Sequence, residues 1–108
     1  MDAKKKERLE RAGFRLGDAA EFLGLTAEEQ AVVNFKLGLS AMLRRRRESQ
    51  HVSQTALAKR IGSSQSRVAK MEAGDPSVSM DLLIHAIFAT GATATDLANE
   101  LAAQPDAA

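Results

Sequence analysis

The sequence predicts an all-α fold of five helices, with a helix-turn-helix at its centre and a helical extension at the N-terminus. Three observations carry that reading. Ala, Leu, Glu, Arg and Lys dominate the 108 residues, Trp and Tyr are absent and only two Pro occur, the profile of a chain rich in helix formers. Thr26, Ser53, Ser64, Ser79 and Thr93 each stand just ahead of an apolar-periodic stretch, where a hydroxyl caps the first free amides of a helix. The run Gln54–Gly74, QTALAKRIGSSQSRVAKMEAG, spells two short helices about a tight turn. No strand-period pattern, internal repeat or low-complexity segment competes. A chain of this length forms one domain with a modest core. Without cysteine it has no disulfide, thiolate metal site or thiol nucleophile.

Taken in order, the first dozen residues are charged, and Gly17–Leu25 reads as a short amphipathic helix through Ala19, Ala20, Phe22 and Leu23. Thr26 and Glu29 form a capping box, which opens a long helix towards Glu48. Val32, Phe35, Leu39, Met42 and Leu43 supply its apolar stripe, and Gly38 marks a place for a bend or break, since it costs about 1 kcal/mol relative to Ala. Ser49–Val52 is a turn. Ser53 caps the next helix, to about Ile61, and Ala58 on it is small enough for its neighbour to pass close by. Gly62 supplies the positive φ of the turn. Ser64 caps the following helix, with Val68 facing inward, and Gly74-Asp75-Pro76 ends it. Ser79 caps an apolar helix holding Leu82, Leu83, Ala86, Ile87 and Phe88, closed by Gly91. Thr93 and Asp96 open the last helix, with Leu97 and Leu101.

The net charge of +1 hides an asymmetry. Residues 1–43 balance seven basic against seven acidic groups. Residues 44–70 hold Arg44–Arg47, Lys59, Arg60, Arg67 and Lys70 against Glu48 alone, a net of +7. Residues 71–108 have no Lys or Arg and a net of −6. A basic block on the helix-turn-helix suits a surface that displaces counterions from DNA phosphates. Its exposed front reads Ser64, Gln65, Ser66, Arg67 and Lys70, side chains able to reach base edges and phosphates in a major groove.

Residues about 37–101 resemble the phage-repressor/Cro-like (XRE-type) helix-turn-helix family, on the text from Leu43 to Leu101. The resemblance implies that Gln54 contacts a phosphate and braces Gln65, which reads a base edge. Ser66 and Arg67 are then the next base readers, and Lys70 reaches a base or a phosphate. It also implies a structural ion pair between Arg47 and Glu72. His51 stands where the family usually has Gly, so either it takes a left-handed conformation or that turn differs. The leading segment GFRLGDAAEFLGLTAEEQAVVNFKLGLS, with GDPSVSMDLLIHAIF, is similar to Hig-type antitoxins, which repress their own operon and bind a ribonuclease toxin. The domain plan is a flexible N-terminus (1–13), a helical extension (14–36), a DNA-binding domain (37–103) and a disordered tail (104–108).

The expected function is that of an autoregulating repressor, binding a pseudo-palindromic double-stranded DNA operator as a homodimer and a toxin protein as partner. Ile87, Phe88, Leu97 and Leu101 are the candidate dimer contacts, each equally readable as core. A stand-alone regulator and a protein-binding adaptor are the alternatives. Four consecutive arginines wrap a helix, so only some can meet DNA; Arg44 is the candidate, whereas Arg47 is structural. Lys59 and Arg60 read equally well as phosphate contacts or plain surface. Phe14, Phe22 and Leu25 in the extension cover the core or dock the toxin. His51 and His85 lack metal-ligand spacing, and His85 reads as a core or interface residue. Asp75 belongs to a turn and Asp81 to a helix's first turn. No catalytic frame appears, so neither enzymatic activity nor a cofactor is expected. No apolar run approaches the roughly 20 residues that span a bilayer, and a cytoplasmic location is the default.

Overall fold

The structure, a computed structural model, describes residues 24–104. The short helix expected over Gly17–Leu25 lies almost wholly outside them, as do Phe14 and Phe22. Five helices and no strand occur among the described residues: α1 Ala27–Ser49, α2 Gln54–Arg60, α3 Gln65–Glu72, α4 Met80–Ala89 and α5 Ala94–Ala102. Phe35–Gln104 forms a compact unit; the residues before it are described by themselves. There, Thr26 and Glu29 cap α1 reciprocally, the Glu29 amide donating to Thr26 Oγ1 at 3.1 Å and the Thr26 amide to Glu29 Oε1 at 3.3 Å.

Local chemistry accounts for each boundary. Ser53, Ser64 and Ser79 accept the amides of Ala56, Arg67 and Leu82, and Thr93 and Asp96 form a second capping box. At the other ends, three helices close with paired backbone bonds around a left-handed residue. After α2, Ser63 N–H reaches Ala58 C=O at 2.8 Å and Gly62 N–H reaches Lys59 C=O, with Gly62 at φ +65°. After α3, Asp75 and Gly74 repeat the pattern onto Lys70 and Met71. After α1 the same bonds run from Val52 to Arg47 and from His51 to Glu48, and here the left-handed residue is His51 at φ 57°. The turn therefore keeps its geometry and a side chain bears the steric cost of that conformation.

α1 runs through Gly38 without a break. The residue is buried, and a Cβ on it would collide with the Gln104 side-chain amide. That amide is the far end of a flexible side chain, so a Cβ there would displace Gln104 without forcing the backbone apart. Gln104, placed by its sequence at the start of the tail, donates to Glu100 C=O at 3.0 Å.

The core is built from one face of each of the first four helices: Leu39, Met42 and Leu43 from α1, Leu57 and Ala58 from α2, Val68 and Met71 from α3, and Leu83, Ala86 and Ile87 from α4. Val78 and Ala92 complete it, and Leu97 and Leu101 of α5 pack against it half-buried. Each fully buried Leu or Ile contributes about 1.5–3 kcal/mol.

Three residues depart from expectation. Val32 is 53 % exposed: it precedes Phe35, where the compact unit begins, and periodicity alone supplies no partner. Ile87 is fully buried and so is a core residue, not a dimer contact; Phe88, turned about 100° further round α4, is 44 % exposed. His85 is exposed, about 200° round the helix from the buried Leu83, which removes the core half of its core-or-interface reading and leaves the interface half.

Candidate nucleic-acid interface

α2 and α3 meet across a buried face to which α2 brings Leu57 and the small Ala58 and α3 brings Val68 and Met71. Ala58 lets α3 approach, Val68 and Met71 fill the interior beside Leu57, and Gly62 turns the chain between them. At about 100° per residue, burying Val68 and Met71 turns Ser66, Ala69, Lys70 and Ala73 outward. Gln65 then falls on the flank beside α2 and Arg67 on the opposite flank.

A chain of hydrogen bonds runs from α1 to that first flank. Arg47 grips Glu72 with two parallel bonds, Nε to Oε2 at 2.5 Å and Nη2 to Oε1 at 2.9 Å, while its Nη1 donates to Val52 C=O at 2.9 Å. The side chains are 14 % and 4 % exposed. The Glu72 hydrogen bonds raise the Arg47 pKa against the opposing effect of desolvation. Glu72 Oε1 also accepts Gln54 Nε2 at 3.1 Å, and Gln54 Oε1 accepts Gln65 Nε2 at 2.6 Å. Gln65 keeps its own carbonyl oxygen and a second amide hydrogen, the donor–acceptor pair that matches an adenine edge.

Ser64 is occupied as the α3 cap and lies 3.3 Å from the Ser66 hydroxyl. Ser66, Arg67 and Lys70 are exposed, as are Lys59 and Arg60 at the end of α2. The arginine run is arranged differently. Arg44 Nε pairs with Glu48 at 2.7 Å, Arg45 pairs with Glu100, and Arg46 Nε donates to Thr90 Oγ1 at 2.7 Å. Arg44 stays 65 % exposed and holds the Glu48 carboxyl below its ordinary pKa, chiefly by that hydrogen bond. The structure thus brings Gln54, Gln65, Arg47 and Glu72 into one hydrogen-bonded network, and Arg44 joins it only through Glu48, which also lies 3.8 Å from Arg47 Nη2. Asp75 accepts the Ser77 amide at 2.8 Å in the turn after α3, and Asp81 lies in the first turn of α4.

Two outward residues escaped the sequence reading, Ala69 and Ala73. Spacing would have found them, since they stand three and seven residues after Ser66 on the same face. An alanine methyl on such a front can meet a thymine methyl in a major groove.

Among the described residues, no helix is long and apolar enough to cross a membrane, and no cluster of three or more His, Cys, Asp or Glu is placed to hold a metal ion. No curated protein and no solved structure matches the chain. Residues 43–84, from the end of α1 into α4, match the helix-turn-helix family model; the match supports the XRE-type resemblance and a DNA-binding transcriptional regulator.

Proposed function

We propose that the chain is a sequence-specific transcriptional repressor that inserts α3 into the major groove of an operator. The observation that carries this reading is the bracing of Gln65 by Gln54 and Glu72 beside an exposed helix front of small, polar and cationic residues. A side chain held before binding loses less rotamer freedom on binding, which favours affinity and fixes register. Gln65, Ser66 and Lys70 are the base-facing group, with Gln54 and Lys59 at the phosphates.

One α3 spans only a few base pairs. A homodimer placing two of them ~34 Å apart on a pseudo-palindrome gives useful discrimination. Phe88, exposed on α4 beside Ile84 and His85, supports an interface there, with Leu97 and Leu101 half-buried on α5. The finer reading, an antitoxin with a ribonuclease partner, rests on resemblance in the leading segment. Co-purification with the product of the adjoining gene tests it.

Fluorescence anisotropy on the chain's own upstream DNA and on a scrambled duplex, over a salt series, tests the reading as a whole. Preference for the upstream DNA that falls steeply with salt supports an autorepressor. Salt-independent or absent binding removes the proposal and favours a protein-binding adaptor.

A further inference from the structure

A cleft of about 250 Å³ opens on the far flank of α3, lined by Ser64, Ser66, Arg67, Lys70, Ser77 and Val78. Its two cations are exposed, and neither side chain has a hydrogen bond or ion pair among the described residues. The opposite wall is held in place independently of any ligand. Ser77 N–H is tied to Asp75 at 2.8 Å and Val78 N–H to Asp75 C=O at 3.1 Å, while Lys36 of α1 donates to Pro76 C=O at 3.0 Å. The Asp75 carboxylate that fixes the wall is not part of the lining. The cleft is open to solvent and has room for a tetrahedral oxyanion with several of its waters.

We propose that this cleft seats one backbone phosphate of the bound DNA, with Arg67 as its principal clamp and Lys70 at its edge. The inference rests on the DNA-binding reading and deepens it. The two cations of α3 thereby receive different work, Arg67 inside the cleft and Lys70 between its edge and the groove-facing front. Arg67 lies about 100° round the helix from Ser66 and faces a walled cleft, so its planar guanidinium meets phosphate oxygens with two donors. Ser66 and Lys70 keep the groove-facing positions. Sequence reading places Arg67 among the base readers; the cleft assigns it to the sugar–phosphate backbone, where it positions the protein without reading sequence.

The test compares wild type and Arg67→Ala on the operator and on operators carrying single base-pair changes, each over a salt series. The Arg67 side chain makes no hydrogen bond or ion pair among the described residues, so the variant is expected to fold, which circular dichroism checks. The expected result is a loss of roughly tenfold on every sequence, a salt slope smaller by about one, and an unchanged order of base preference. Relaxed preference at a single base pair overturns the proposal, because Arg67 then reads a base; an unchanged affinity overturns it too. Inorganic phosphate is titrated as a competitor against chloride at equal ionic strength. Stronger competition by phosphate, lost in Arg67→Ala, is expected of a clamp for phosphate oxygens; phosphate competition with an Arg67→Ala variant that binds DNA as wild type does would reassign the cleft to a free anion. If the wild type binds no DNA, both readings fall; if it binds and only the Arg67→Ala pattern is wrong, this one alone does.

Discussion

The arginines that end α1 and the cations around α3 carry the same formal charge but meet different surroundings. Arg44, Arg45 and Arg47 face the carboxylates of Glu48, Glu100 and Glu72, and Arg46 is bound to Thr90. Lys59, Arg60, Arg67 and Lys70 are exposed and make no side-chain bond among the described residues. The basic block counted along the chain therefore divides in space. In its first half Arg45, Arg46 and Arg47 fasten α1 to the rest of the fold while Arg44 pairs within α1, and its second half is offered outward. Two of the neutralising carboxylates, Glu72 and Glu100, come from the acidic last third of the chain, so part of that acidity serves packing.

The comparison can be broken most sharply at Arg47. Arg47→Met strands the nearly buried Glu72 carboxylate and should cost about 2–3 kcal/mol, just below the range for fully buried pairs, read as a lower urea midpoint with unchanged slope. Arg47→Met with Glu72→Leu should recover much of that loss. If the single variant is as stable as wild type, the division between structural and offered arginines fails.

Gln65→Ala comes next, with a different readout. It should leave the urea midpoint within about 0.5 kcal/mol while reducing discrimination at one base pair by about 1–3 kcal/mol, measured on a panel of single-substitution operators. Unchanged discrimination would mean that α3 sits in another register.

His51→Gly sharpens the boundary between the two regions, since this residue closes the helix carrying the arginines. Relief of the left-handed backbone should stabilise by about 1 kcal/mol, offset in part by the greater entropy of glycine in the unfolded chain. A rise of a few degrees in Tm is the expected outcome, and a fall would mean that the imidazole makes a contact that outweighs the strain.

Arg44→Ala has the smallest effect, because both partners are exposed. Its Tm at neutral pH should stay within error of wild type. Glu48 has a folded pKa below its ordinary value. Its contribution is therefore complete above the ordinary carboxylate range and fades as pH falls through the lower folded value. In Arg44→Ala that acid dependence should flatten, measured as Tm against pH from 7 down to about 3.

The fold was legible wherever the cause is local. Caps at Ser53, Ser64 and Ser79 act within three residues, and Gly62 and Gly74 act through their own φ. The inward placement of Val68 follows from helical period once those caps fix the helix. What stayed hidden depends on distant partners. Arg45 and Arg46 find Glu100 and Thr90 across 55 and 44 residues, and no spacing rule reaches so far. Ile87 and Phe88 are adjacent apolar residues with opposite fates, because only packing decides which side of α4 lies inside. In the candidate site, the residue types on the front of α3 could be read directly. Which flank Arg67 takes required the position of the loop carrying Ser77.

The Glu72 carboxylate holds Arg47 on one side and Gln54 on the other, which makes some positions on α3 far freer to vary than others. Gln65 inherits its orientation from a group that also secures α1, so exchanging it for another reader disturbs a network extending to the scaffold. Ser66, Ala69 and Lys70 carry no such obligation. A designer wishing to redirect this chain to a new DNA sequence should randomise those three first and leave Gln65 in place, and drift among natural relatives would be expected to follow the same path.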